Sequence, residues 1–334
     1  LDTDFKENRG GPAKHGFDEV IGTETKYIAD GDYFFPYDKI NTFSSGAANE
    51  YLTDRQSQEA AAFIERNREK SFFLFVSFYS VHTRLSAPEA LVEKYKRKFD
   101  ARYGKGQAEK LFEGENKRHQ SEHGDNPYLA AMLESIDTGV GTIMKSLVEN
   151  GLAGNTLLIF LSDNGGANGV GNNGGLRMHK SWLYEGGIRS PLIMQLPGTI
   201  EAGIETDVPV SSQDLYPTFA ELAGANVPAT HPVDGVSLLP LVTRLAAPER
   251  EALFWHYPSE TGKWQNRMAS AIRKGDYKLI HFYQDGRTEL FNLKEDPQEK
   301  HNLIDEMPDR ARELQRMLDT WKKEVNAEQP GILK

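Results

Sequence analysis

The sequence predicts a layered α/β chain followed by a smaller α+β region. Three observations predict it. Residues 71–78, 156–161 and 190–196 are short apolar runs rich in β-branched or aromatic residues, the pattern of strands buried on both faces. Residues 53–70 and 126–150 have helical spacing and precede two of those runs, which gives the helix–strand alternation of a layered domain. From about Arg250 the pattern changes to short strands separated by turn signals.

Residues 1–50 are rich in Gly, Asp, Asn and aromatics with weak periodicity, so a long irregular segment with short strands is expected. Thr53 is the N-cap candidate of the first helix, with Gln56 three residues on and Ala60, Phe63 and Ile64 on its apolar face. Ser86 and Glu89 have capping-box spacing before a helical pattern that continues through Tyr95. Residues 101–125 are highly charged and read as a surface excursion. His119 and His123 would share a helix face there, but no third metal ligand accompanies them.

Between 126 and 150, Leu129, Met132, Leu133, Ile136, Val140 and Ile143 recur at helical spacing, and Gly151 supplies a stop. Asp214 reads as an N-cap for a helix ending at Leu222, with Gly224 beyond it. Strands are expected at 253–257, 269–273, 277–282 and 288–293, with Asp285-Gly286 as a hairpin turn. A final helix over 308–325 presents Ala311, Leu314, Met317, Leu318 and Trp321 on one face. The expected division is therefore 1–249 and 250–334. His256 follows an apolar strand, and reads either as a packed residue or as a substrate-binding one.

With 334 residues and 38% hydrophobic content, the chain can bury a sizeable core. Its 39 basic and 49 acidic residues give 39 − 49 = −10, which argues against general nucleic-acid binding. An anionic substrate is not excluded, because a metal ion and a few cations dominate a pocket locally. No apolar stretch has the roughly 18 residues of a membrane-spanning helix. Cysteine is absent, so disulfides and thiolate metal sites are excluded within these residues.

The sharpest feature is Asp163-Asn164, at the end of an apolar run and before Gly165-Gly166. Open α/β sheets place ligands at such strand ends. A carboxylate and an amide oxygen suit calcium or magnesium, whereas zinc and copper favour His and Cys. Asn-Gly is also a common turn pair, and the dipeptide alone reads as a turn. Lys180 alone reads as a solvated surface lysine.

The larger arrangement is more specific. Ser162-Asp163-Asn164-Gly165-Gly166, a polar loop, and Leu176-Arg177-x-x-Lys180-x-x-x-Tyr184-Glu185-Gly186-Gly187-Ile188-Arg189-x-Pro191 resemble the type I sulfatases (arylsulfatase-like) of the alkaline phosphatase superfamily. His15-Gly16-Phe17-Asp18, residues 208–218 and residues 234–241 resemble further segments of that family. The resemblance implies a mixed, mostly parallel central sheet flanked by helices, with a C-terminal antiparallel sheet and packed helix. It implies calcium as cofactor, Asp163 and Asn164 as metal ligands, and Lys180 as a contact to the sulfate. Val81-His82-Thr83 resembles the family's Val-His-Thr-Pro segment, which implies that His82 contacts the sulfate or its leaving oxygen.

Two departures are local: Arg84 replaces the usual Pro, and Met178-His179 replace two glycines common before the lysine. A third concerns the nucleophile, which in the family is a formylglycine made from the Cys or Ser of Cys/Ser-x-Pro-x-Arg. The nearest string here, Ser86-Ala87-Pro88-Glu89-Ala90, lacks the arginine. The chain also lacks a starting Met and a signal-peptide pattern. It is therefore expected to begin in mid-protein, with the nucleophile upstream of Leu1, and to be inactive alone.

The expected activity is hydrolysis of a sulfate monoester, either an aryl sulfate or a sulfated carbohydrate. Export to a periplasm or the exterior is implied by the resemblance. One alternative is a phosphatase or phosphodiesterase of the same superfamily, although those relatives usually place a zinc-binding His where Asn164 stands. The other is a non-catalytic protein that binds sulfated glycans.

Overall fold

The computed structural model describes residues 11–22, 33–37, 40, 42–43, 45–114, 124–258 and 266–330. His119 and His123 lie outside the described residues. The chain divides into two compact units: residues 1–156 with 167–172, and residues 157–166 with 173–334.

The first unit is helical. It contains α1 (Leu52–Arg66), α2 (Glu89–Tyr103), α3 (Gln107–Phe112) and α4 (Pro127–Glu149), with α1 and α2 both packed on α4. Asn126 starts α4 because its side-chain oxygen accepts hydrogen bonds from Tyr128 N and Leu129 N, and Pro127 fits the first turn. The helix ends before Gly151, whose φ of 71° suits glycine.

Ala60 and Ile64 of α1 meet Ile143 and Leu147 of α4, and Phe72, Leu74, Val76 and Phe78 pack against them. This period of two is that of an extended chain. Phe73 and Phe75 point the other way and are 55% and 66% exposed. The run 71–78 is thus extended, but it forms no strand ladder and buries only one of its faces.

Both cap expectations in this unit need correction. Helix α1 begins at Leu52, so Thr53 lies inside its first turn, where the hydroxyl pairs with Ser80 Oγ at 2.7 Å. Helix α2 begins at Glu89 after Pro88, with no side-chain cap from Ser86. Proline at the boundary fixes the start without one. The charged excursion also holds more structure than expected. It contains α3, whose Phe112 is fully buried and stacks edge-on with Phe99.

In the second unit β1 (Leu158–Leu161) pairs with β2 (Leu192–Gln195). The register is antiparallel, Leu158 opposite Gln195, a pairing that the expected mixed sheet allows. Between them lies the short helix α5 (Glu185–Ile188). Helices α6 (Leu215–Leu222) and α7 (Leu239–Arg244) follow. Ser211 and Asp214 form a capping box ahead of α6, and the buried Asp214 carboxylate also accepts from Val236 N and Arg250 Nη2.

An antiparallel meander closes the chain: β3 (Leu253–Tyr257), β4 (Ala269–Lys274), β5 (Tyr277–Phe282) and β6 (Thr288–Asn292), in that order. Side chains alternate across it. Ala269, Ala271, Ile280, Phe282 and Phe291 meet Trp182, Leu183 and Tyr184 on one face. Ile272, Leu279 and Leu290 meet Ala311, Leu314 and Leu318 of α8 (Pro308–Glu324) on the other. Phe254 stacks on Trp321 with 4.9 Å between ring centres.

Candidate active site

Strand β1 runs straight into Ser162-Asp163-Asn164, and three stretches of backbone interlock there. Gly165 N donates to Gly187 O at 3.0 Å, Lys180 N to Gly166 O at 3.0 Å, and Gly186 N to Arg177 O at 2.9 Å. The glycines are required by contact. A Cβ on Gly165 would stand 1.9 Å from Gly186 O, one on Gly186 2.3 Å from Met178 O, and one on Gly187 2.1 Å from Trp182 O. No side chain fits at such distances. The interlock thus brings the backbone of Lys180 next to the turn that carries Asp163 and Asn164.

Asn173 clamps the loop. Its Oδ1 accepts from Gly166 N at 2.9 Å, and its Nδ2 donates to Met178 O at 2.9 Å. Met178 and Ser181, on either side of His179-Lys180, have φ of 61° and 74°. Left-handed backbone at such residues costs on the order of 1–3 kcal/mol and persists where surrounding bonds over-determine it. That is the local consequence of having Met178 where the family often has glycine.

Asp163 is exposed, and among the described residues its carboxylate has no protein donor. Asn164 donates its side-chain Nδ2–H to Gly165 O at 2.9 Å, and its backbone carbonyl accepts from Ser162 Oγ at 3.0 Å. The amide oxygen therefore faces away from that bond. Two such oxygens fit part of a calcium shell, which takes 6–8 oxygen ligands. Among the described residues no group of three or more His, Cys, Asp or Glu is placed to hold a metal, so the pair is only a fraction of a shell.

His82 belongs to the first unit. Its exposed ring has Nδ1 2.6 Å from Thr83 O. A carbonyl only accepts, so Nδ1 carries the proton and Nε2 is left for another partner. The buried Tyr33 hydroxyl lies 2.9 Å from His82 O and 3.0 Å from Tyr79 O, which pins this turn.

His256 is engaged on both nitrogens. Nδ1 lies 2.7 Å from Ser270 Oγ and 3.2 Å from Tyr283 Oη, and Nε2 lies 2.8 Å from Glu328 O. These are the bonds of a packed histidine in the C-terminal sheet.

Sequence reasoning passed over a buried ionic group beneath the interlock. Lys278 of β5 is fully buried, with Nζ 2.9 Å from Glu185 Oε1 and 2.9 Å from Glu299 Oε1. Burial pushes the Glu299 carboxyl above its usual range, against the lowering effect of Lys278. Arg177 donates Nη1 to Glu299 O at 2.7 Å and lies over the Tyr184 ring, 4.1 Å from its centre. Burial and Glu289 push the Tyr184 hydroxyl up. Lys278 lies 93 residues from Glu185, with no local signal linking them.

Comparison with known proteins identifies the family. A family model described as "Sulfatase" matches residues 1–225, and one described as "N-sulphoglucosamine sulphohydrolase, C-terminal" matches residues 175–328. A sulfatase of Formosa agariphila is 33% identical over 302 residues, covering 83% of this chain and 51% of that protein. The steryl-sulfatase of Rattus norvegicus is 31% identical over 302 residues, covering 80% and 47%. The crystal structure of Ps i-CgsB in complex with k-i-k-neocarrahexaose superposes with a TM-score of 0.74 at 26% identity, covering 98% of this chain and 70% of that one. The chain belongs to the sulfatase family. Its fold is that of the alkaline phosphatase-like sulfatases, α/β with a small antiparallel C-terminal sheet. It spans about half the length of the curated relatives named above.

Proposed function

We propose that the protein hydrolyses a sulfate monoester, an aryl sulfate or a sulfated carbohydrate, using calcium and a formylglycine nucleophile carried outside these 334 residues. The 334 residues alone are then inactive. The observation that carries the reading is the glycine interlock, which brings the Lys180 backbone beside the turn of Asp163 and Asn164. The k-i-k-neocarrahexaose in the Ps i-CgsB complex favours the carbohydrate within that class.

The transferring group of a sulfate ester is anionic, so catalysis needs fixed positive charge on its oxygens and help for the leaving oxygen. Calcium, when bound, supplies part of that charge and fixes position. Asp163 and Asn164 hold it through their side-chain oxygens. Lys180 adds a second cation toward the sulfate. His82 offers Nε2 to the sulfate or to the leaving oxygen, its Nδ1 being held by Thr83 O.

We further propose a periplasmic or extracellular location. Among the described residues no helix is long and apolar enough to cross a membrane.

The test is release of sulfate by the full-length protein from an aryl sulfate and from a carrageenan oligosaccharide. Lys180→Ala is expected to lower kcat/KM by about 10²–10³, as loss of one preorganised charge contact does. Faster turnover of the matching phosphate esters, with zinc replacing calcium, would move the assignment to phosphoryl transfer. Binding of the oligosaccharide with no turnover would leave a glycan-binding role.

A further inference from the structure

We propose that Glu185, Lys278 and Glu299 form a positioning triad through which the C-terminal sheet sets the shape of the metal- and sulfate-binding turns. The inference rests on the sulfatase reading above and adds three residues to it.

The first observation is the placement of Lys278. It is fully buried near the start of β5, between β4 and β6, where a lysine is rarely found unpaired. Its Nζ–H donates to Glu185 Oε1 at 2.9 Å. Glu299 Oε1 is equally near, at 2.9 Å, so the buried ammonium is shared between the two carboxylates. Arg189 and Arg273 stand 3.8 and 4.0 Å from Glu185 Oε2 and offset the second carboxylate.

The second is what the triad holds. Glu185 N donates to Glu299 Oε2 at 2.7 Å, and Glu299 O accepts from Arg177 Nη1 at 2.7 Å. Glu185 opens α5, whose next two residues are Gly186 and Gly187. Gly186 N is bonded to Arg177 O, and Gly187 O accepts from Gly165 N, the residue after Asn164. A chain of short bonds thus runs from β5 through Lys278, Glu185 and Gly187 to Gly165. A parallel branch runs from Glu299 through Arg177 toward His179-Lys180.

The third is the lack of slack. A Cβ on Gly186 or Gly187 would meet backbone of residues 177, 178, 179 and 182, and one on Gly165 would meet Gly186 and Gly187, so these turns pack backbone against backbone. Glu299 itself is held at φ 55°, left-handed for a non-glycine residue. Stability alone does not call for this group, since buried ion networks are often no more stable than well-packed apolar residues of the same volume. What charges add is direction, and here that direction falls on the turn that carries Asp163 and Asn164.

The test uses the full-length protein with an aryl sulfate, reading kcat, KM, the calcium concentration for half-activation, and Tm. Lys278→Met keeps the volume and removes the charge. Glu185→Gln keeps the shape and weakens the pair, and serves if Lys278→Met does not fold. The expected result is a folded enzyme whose half-activating calcium concentration rises and whose kcat falls, each by about 10-fold or more, as when outer-shell partners of a metal site are removed. A lowered Tm with kcat and calcium half-activation unchanged, assayed well below that Tm, would show a merely structural group and overturn the proposal. A wild-type protein without calcium-dependent sulfate release would overturn the sulfatase reading and the triad's role together. An active wild type with unaltered variants would overturn the triad alone.

Discussion

The four-stranded sheet β3–β6 and the two-stranded ladder β1–β2 are built from similarly apolar sequence in the same unit, but they are covered very differently. In the first, Ala271, Ile272, Leu279, Ile280, Leu290 and Phe291 are all fully buried, because residues 182–184 cover one face and α8 the other. In the second, Phe160 and Leu161 are each 37% exposed and Ile193 is 61% exposed. Apolar composition makes a strand capable of burial, but a second layer has to deliver it. The better-covered sheet carries none of the residues proposed to touch calcium or sulfate. It supplies the anchor, Lys278, while the exposed ladder leads into Asp163 and Asn164.

The difference can be broken at its buried end first. Phe291→Ala removes a fully buried ring from the face against Tyr184 and is expected to cost about 3–5 kcal/mol in denaturant unfolding. A loss below about 1 kcal/mol would mean that this face is not a packed core. Arg250→Ala leaves the fully buried Asp214 carboxylate without its cation. Breaking a buried pair costs about 3–5 kcal/mol, and the partial exposure of Arg250 places the expected value at the lower end. The two backbone N–H groups that Asp214 also accepts, from Ser211 and Val236, remain.

A pH dependence is expected from His281 on β5. Burial, and then the Lys322 cation, hold its imidazole below the ordinary 6.5, against opposing pulls from Asp319 and Asp285. As pH falls below 6.5 the unfolded chain takes up a proton that the folded chain still refuses. The stabilising contribution is present above that value and is lost as pH drops through the lowered folded pKa. Tm measured against pH should therefore fall on acidification, and His281→Asn should flatten that slope. An unchanged slope would assign the acid sensitivity to other groups. The smallest effect belongs to the ladder. Ile193→Ser, at an exposed position, should change stability by no more than about 0.5 kcal/mol in the 334-residue chain. A large loss would show that the exposed face is covered in solution.

Legibility in the sequence followed locality. The strands of the C-terminal sheet and helix α8 were readable because alternation, Asp285-Gly286 and an i, i+3, i+4 stripe are local signals. So was α4, through six apolar residues at helical spacing and Gly151 at its end. The capping role of Thr53 was misread because Ser80, 27 residues away, takes its hydroxyl. That of Ser86 was misread because Pro88 already fixes the start of α2. Asp163, Asn164 and Lys180 were legible through the extended motif, not through their own chemistry. Lys278 and Glu299 were illegible, because a lysine on a strand looks solvated until residues 93 and 21 positions away are folded around it.

Asp163 and Asn164 are the proposed calcium ligands beside Lys180. The most direct test of that assignment is the calcium content per chain of the full-length protein, compared with Asp163→Ala, after equilibration with calcium and zinc together. The expected result is one tightly held calcium and no zinc in the wild type, with calcium lost in the variant while Tm in chelator is unchanged. Equal calcium in both proteins, or zinc in place of calcium, would contradict it.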